Sequence, residues 1–224
     1  MLPWVHLDSA DIPGDGGQLR LMQRGSEFSI MLGANELMNS RLSGSEQALA
    51  TLSCDKIGAR TAPQVLIGGL GMGFTLRAAL AALGSDASVT VAELVPGVVA
   101  WAKGPMAEVY GESLGDQRLR VAVCDVATLI REARGSYDAI LLDVDNGPDG
   151  LTRQGNDSLY DAAGLGTAHR ALRPGGVLAV WSSGPDRAFT TRLRQAGFTA
   201  EEVAVRANGK RGGARHVIWL AARS

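Results

Sequence analysis

Ten consecutive residues constrain this chain more than any others: Val65-Leu66-Ile67-Gly68-Gly69-Leu70-Gly71-Met72-Gly73-Phe74. The short aliphatic run reads as a buried strand. The glycines that follow mark a tight turn, and Phe74 opens a helical pattern. A glycine lets backbone approach a ligand that a β-carbon would push away, and the same residues equally serve close packing of strand against helix. In the dinucleotide fingerprint the third glycine follows the second by three residues. Here Phe74 holds that place and glycine falls at 73, a spacing that favours an adenosyl sulfonium over a pyrophosphate.

Around this turn the chain alternates strand-like and helix-like stretches. Aliphatic or β-branched runs lie at 65–67, 89–91, 119–123, 139–142 and 177–180, and helical patterns are expected near 73–83, 95–109, 126–133, 159–172 and 186–196. Such alternation predicts an α/β fold with a doubly wound, mostly parallel sheet. Two last runs, 200–205 and 217–221, flank Asn208-Gly209, which suits a C-terminal antiparallel hairpin. Residues 1–42 read as a small N-terminal β-hairpin appendage, with extended runs at Leu19–Met22 and Phe28–Leu32. Residues 43–224 form the main domain, whose first helix opens at Ser43-Gly44-Ser45-Glu46.

Size and composition narrow the function classes. A chain of 224 residues with 46% hydrophobic and 20% charged residues carries one generous core. A net charge of -1 supplies no global field for nucleic acid or anionic lipid. No signal-peptide pattern and no membrane-length apolar run is seen, so the expected location is cytoplasmic. Cys54 and Cys124 lack metal-binding spacing and read as buried thiols, and His6, His169 and His216 are isolated, so no metal is expected.

The acidic residues at strand ends carry the chemistry. Glu93 ends the second core run roughly twenty residues past the glycine turn, where a carboxylate can accept both hydroxyls of a ribose; the alternative is a cap on the helix beginning near Pro96. Asp125, ending the third run, can accept the adenine amino group or serve only as an N-cap. Asp143 ends the fourth run. Ligands of open α/β sheets gather beyond the carboxyl ends of the strands, which makes it a catalytic candidate or a loop cap. Asp143, Asp145, Asp149, Asp157 and Asp161 concentrate negative charge past the end of the fourth run. Trp181 either walls the pocket or packs at the core edge.

In order, the glycine turn with Thr75-Leu76-Arg77, Glu93-Leu94-Val95-Pro96, Asp125, Tyr137-Asp138 with Asp143, and Leu172-Arg173-Pro174-Gly175-Gly176 resemble the spermidine synthase-like aminopropyltransferases, a branch of the class I methyltransferase fold. The Phe28–Leu37 stretch resembles the hairpin preceding that family's core. The resemblance implies a Rossmann-like catalytic domain and a transferase using S-adenosylmethionine or its decarboxylated form. Gly69, Gly71, Gly73, Glu93, Asp125 and Val126 would hold that cofactor, Asp143 would act as base, and Asp145 and Glu36 would meet a small amine acceptor. A homodimer is expected.

The family's pattern is not complete. Met72 stands where its glycine turn carries an aspartate for the donor's ammonium, Gly44-Ser45-Glu46 replaces a tyrosine-histidine pair, Glu36 replaces a glutamine, and a basic loop from Arg206 to Arg215 replaces a proline- and tyrosine-containing segment. That loop reads either as a solvated turn or as a site for an anionic acceptor. Two further readings therefore stand beside the first: methyl transfer to an unknown acceptor, and nucleoside binding without catalysis.

Overall fold

The computed structural model describes residues 2–14, 17–144, 157–209 and 212–224. The N-terminal part is a four-stranded antiparallel sheet of β1 (Val5–Asp11), β2 (Gln18–Arg24), β3 (Glu27–Leu32) and β4 (Asn35–Asn39), in that order. The expected hairpin is thus only half of the appendage. β1, Val-His-Leu-Asp-Ser-Ala-Asp, lies mostly exposed and carries no apolar alternation to reveal it.

The main domain follows as α1 (Gly44–Ile57), β5 (Gln64–Gly68), α2 (Phe74–Ala82), β6 (Ser88–Glu93), α3 (Pro96–Lys103), α4 (Ala107–Tyr110), β7 (Leu119–Val123), α5 (Val126–Glu132) and β8 (Tyr137–Leu142). It continues with α6 (Asp157–Tyr160), α7 (Ala162–Ala171), β9 (Leu172–Ser182), α8 (Arg187–Gln195), β10 (Phe198–Arg206) and β11 (Arg215–Arg223). The expected helix at 95–109 is broken at Gly104-Pro105, since proline supplies no N–H to continue the ladder. The expected helix at 159–172 is two pieces, because the Asp161 carboxylate accepts the Gly164 N–H and starts α7 anew.

The seven strands run in the order β10-β11-β9-β8-β5-β6-β7. Pairing is parallel from β9 to β7, and β11 and β10 add antiparallel. The doubly wound sheet and the C-terminal hairpin are both present. Because the chain starts at β5 and winds outward in both directions, the order reverses between β5 and β8, and a crevice opens beyond their carboxyl ends.

One apolar cluster runs from Ile12, Leu21 and Ile30 of the N-terminal part into Leu49, Ile67, Leu76 and Trp101 of the main domain. The Trp101 indole N–H donates to Asp8 at 2.7 Å, and Gly97 leaves space that the Ala10 side chain occupies. The sheet therefore caps the crevice directly. At the opposite edge, buried Asp138 accepts from Arg60 Nη1 at 2.7 Å and Arg173 Nη1 at 2.8 Å. It also accepts from the Gln64 N–H at 2.8 Å, tying the starts of β5, β8 and β9 together. Among the described residues no helix is long and apolar enough to cross a membrane.

Candidate active site

The glycine turn does its work through positive φ. Gly69 adopts φ +90°, Gly71 +51° and Gly73 +76°, a region L-residues with side chains rarely enter. A β-carbon on Gly69 would collide with the Asp143 carbonyl oxygen, and one on Gly73 would enter the Tyr110 ring. These two glycines allow protein to approach protein. At Gly71 the nearest neighbour is Met38 Sδ of β4, 3.2 Å from where a β-carbon would stand. Gly69 and Gly71 line the cavity, whereas Gly73 starts α2 against Tyr110, whose hydroxyl donates to the Gly71 carbonyl.

Backbone bonds register the strand ends around that turn. The Gly69 N–H donates to the Ala92 carbonyl at 2.8 Å and the Asp143 N–H to the Gly68 carbonyl at 3.0 Å. The turn is thereby stitched to β6 on one side and to β8 on the other.

Glu93 is 7% exposed and points into the turn. Its Oε2 accepts the Leu70 N–H at 2.9 Å and its Oε1 the Val95 N–H at 2.8 Å. Burial raises its pKa, and these backbone donors partly offset that rise by favouring the carboxylate. Asp125 takes the capping role, its Oδ1 accepting the Ala127 N–H at 2.8 Å at the start of α5, and the residue also lines the cavity beside Val126.

The cavity between them holds about 770 Å³ of empty space when its open mouth is counted. Glu93, Asp125, Val126, Gly69, Gly71 and Asp143 meet on its wall. Ile12, Leu19, Leu32, Leu37 and Met38 form an apolar ceiling from the N-terminal sheet. The sequence did not mark these five as site residues, because apolar side chains there have the same look as ordinary core packing.

Asp143 sits where β8 ends. Its Oδ2 accepts the Thr75 hydroxyl at 2.6 Å. Burial first, then the neighbouring Glu46 carboxylate, push its pKa up to about 7, and the Thr75 donor works in the opposite direction. Among the described residues it makes no ion pair.

Other expected residues lie elsewhere. Glu36 does not line the cavity; its carboxylate is taken by Ser29 Oγ at 2.7 Å, Asn39 Nδ2 at 2.9 Å and Arg41 Nη2 at 3.2 Å. Met72 is buried in the core cluster rather than turned to a ligand. Asp145 and Asp149 lie outside the described residues. Cys54 is buried as expected, but Cys124 is not: it is partly exposed on the cavity wall, because β7 is an edge strand with no neighbour to cover it. Trp181 packs at the core edge, edge-on to His216 with ring centroids 4.8 Å apart. Residues 210 and 211 of the basic C-terminal loop lie outside the described residues; its described start meets α1, where the Gly44 N–H donates to the Ala207 carbonyl at 2.8 Å. There it brings His216 Nδ1 within 2.9 Å of Ser45 Oγ.

This topology, with a glycine turn after the first parallel strand and an acidic residue ending the second, defines a Rossmann-like fold of the class I methyltransferase type. Within that class the fold is spermidine synthase-like. It superposes on a spermidine synthase solved with the transition-state analogue AdoDATO at a TM-score of 0.75, with 16% identity over 98% of this chain and 72% of that one. It also matches the spermidine synthase of Thermotoga maritima at 0.76, with 16% identity over 98% and 73%. A probable spermidine synthase of Corynebacterium glutamicum aligns at 0.62, with 15% identity over 97% and 79%. In sequence the chain is 35% identical over 123 residues to polyamine aminopropyltransferase 1 of Streptomyces coelicolor, a stretch that is 54% of this chain and 22% of that protein. The chain thus spans a minor part of that curated relative. No family model matches it.

Proposed function

We propose that the protein is a spermidine synthase-like transferase that moves an aminopropyl or related group from decarboxylated S-adenosylmethionine or S-adenosylmethionine to an amine acceptor. The observation that carries this reading is the fastening of buried Glu93 to the glycine turn, with one cavity shared by Glu93, Asp125 and Asp143. Glu93 is assigned to the ribose hydroxyls, Asp125 and Val126 to the adenine, and the Gly69–Gly71 backbone to the underside of the nucleoside.

The donor supplies an electrophilic carbon beside a sulfonium. The protein's part is to bring a lone pair to that carbon. An amine is protonated near neutrality, with a pKa of about 10, and has no lone pair to offer. Asp143, at the turn and free of cationic partners among the described residues, is placed to accept its proton. The departing thioether is neutral and needs no strong acid. Aspartates 145 and 149 are assigned to the acceptor's surroundings on charge alone.

The buried Met72 favours a second reading, methyl transfer from S-adenosylmethionine, since a turn without an aspartate does not repel the carboxylate that distinguishes this donor from its decarboxylated form. Calorimetry with both nucleosides and with methylthioadenosine tests the shared site, and absence of binding to all three removes both readings. Mass spectrometry of reactions with pooled amines separates them: a product heavier by an aminopropyl group supports the first, and one heavier by a methyl group supports the second.

A further inference from the structure

Thr75 is 3% exposed, and its hydroxyl stands between two acceptors on different elements. Asp143 Oδ2, past the end of β8, lies 2.6 Å away, and the Glu46 carbonyl oxygen of α1 lies 3.3 Å away. A hydroxyl has one proton to donate and lone pairs to accept with. It can therefore serve only one of the two oxygens at a time, and the shorter distance assigns it to Asp143. The other carboxylate oxygen, Oδ1, receives no hydrogen bond from any described residue, while the side chain borders the cavity.

We propose that Thr75 is the positioning residue of Asp143: its hydroxyl holds Oδ2, leaves Oδ1 free for a substrate proton, and turns between the Asp143 carboxylate and the Glu46 carbonyl as Oδ2 loses or gains a proton. This rests on the reading of Asp143 as proton acceptor. The proton balance is simple. The substrate N–H bond breaks, its electron pair stays on nitrogen, and the proton goes to the Asp143 carboxylate. If the proton resides on Oδ1, Thr75 goes on donating to Oδ2. If it resides on Oδ2, that group donates to Thr75 and the threonine proton turns to the Glu46 carbonyl. In both states the Thr75 hydroxyl keeps a partner in Oδ2, so the same side chain serves before and after transfer.

The surroundings fit a carboxyl that changes its proton near neutrality. From α1, Glu46 faces Asp143, its own carboxylate accepting Ser45 Oγ at 2.9 Å. Behind Ser45 stands His216 of β11, its Nδ1 2.9 Å from that hydroxyl. From α2 comes only Thr75, because Arg77 turns away to the Val109 carbonyl at 2.8 Å. The ends of β5 and β9 present Gly68-Gly69 and Trp181-Ser182, without charge. Glu93 and Asp125 share the cavity wall. Burial and the Glu46 carboxylate push the Asp143 pKa up, and Thr75 is the group that opposes them.

The test uses the full chain labelled with ¹³C at the aspartate carboxyl, with the Asp143 signal identified by its loss in Asp143→Asn. In Thr75→Val the Asp143 titration midpoint is expected to move up by about one pH unit, as loss of a hydrogen bond to a charged group implies. Thr75→Ser is expected to keep the wild-type midpoint. Glu46→Gln, by removing a like charge, is expected to move it down. An unchanged midpoint in Thr75→Val, or one in Thr75→Ser displaced as far as in Thr75→Val, overturns the proposal. Should Thr75→Val not fold, Thr75→Ala removes the hydroxyl without adding bulk and is judged by the same outcomes. No donor or acceptor is present in this titration, so its failure is distinct from failure of the transferase reading, which nucleoside calorimetry decides.

Discussion

Glu93 and Asp143 close the two strands that flank β5, yet the protein fastens them by opposite means. Both oxygens of Glu93 take backbone N–H groups, from Leu70 and Val95. Asp143 has one side-chain hydroxyl on one oxygen and no described donor on the other. Burial raises the pKa of each. At Glu93, fixed backbone dipoles resist that rise and hold a carboxylate in one orientation, which suits a group that grips. At Asp143 a rotatable hydroxyl and the neighbouring Glu46 leave the proton exchangeable, which suits a group that reacts. On the proposed function, the two strand ends divide anchoring from chemistry.

The comparison breaks first at Asp143. Asp143→Asn is expected to lower turnover about 1,000-fold, as loss of a general base does, while methylthioadenosine affinity in calorimetry stays unchanged. In the intact protein the rate should rise with pH up to about 7 and then level, because the base acts only when ionised. The same substitution is expected to stabilise the fold at pH 8. An aspartate ionises at about 3.9 when unfolded and at about 7 here. The folded state therefore holds the proton more tightly, and stability declines as pH rises between those values. Asparagine removes that cost, and a higher melting temperature at pH 8 but not at pH 4 would show it.

Next in size is Gly73→Ala. Positive φ and the Tyr110 ring together should cost about 3 kcal/mol in urea unfolding. Glu93→Ala should weaken methylthioadenosine binding about 100-fold, the inverse of the Asp143 result, since it removes charged acceptors from a buried site. A Glu93 variant with normal affinity would dissolve the division between the two strand ends. Smallest is Glu36→Gln. Its half-exposed pairing with Arg41 should be worth about 0.5 kcal/mol or less, and nucleoside affinity should not change.

The glycine turn and the strand-end carboxylates were legible in the sequence because they are local. A strand, a glycine turn and acidic residues at strand ends follow one another at spacings that chain geometry dictates, so Gly69, Gly71, Glu93, Asp125 and Asp143 converge as expected. Gly73 was placed with them, yet its role is to clear Tyr110, a residue thirty-seven positions away that no periodicity connects to it. The surroundings of Asp143 were less legible. Glu46 and Thr75 approach Asp143 only because α1 and α2 pack together, and His216 reaches Ser45 from the far end of the chain. Glu36 shows the converse: an acidic residue in a suggestive position was already satisfied by Arg41 and Ser29. β1 was missed because exposed strands have no apolar signature to read.

The apolar ceiling that Ile12, Leu19, Leu32, Leu37 and Met38 lay over the cavity has a thermodynamic consequence. A ligand seated beneath it removes hydrocarbon from water on both sides of the contact, so complex formation should carry a negative heat-capacity change. The enthalpy of association would then grow more favourable as the temperature rises. A protein lacking its first thirty-nine residues would lose that temperature dependence along with the roof.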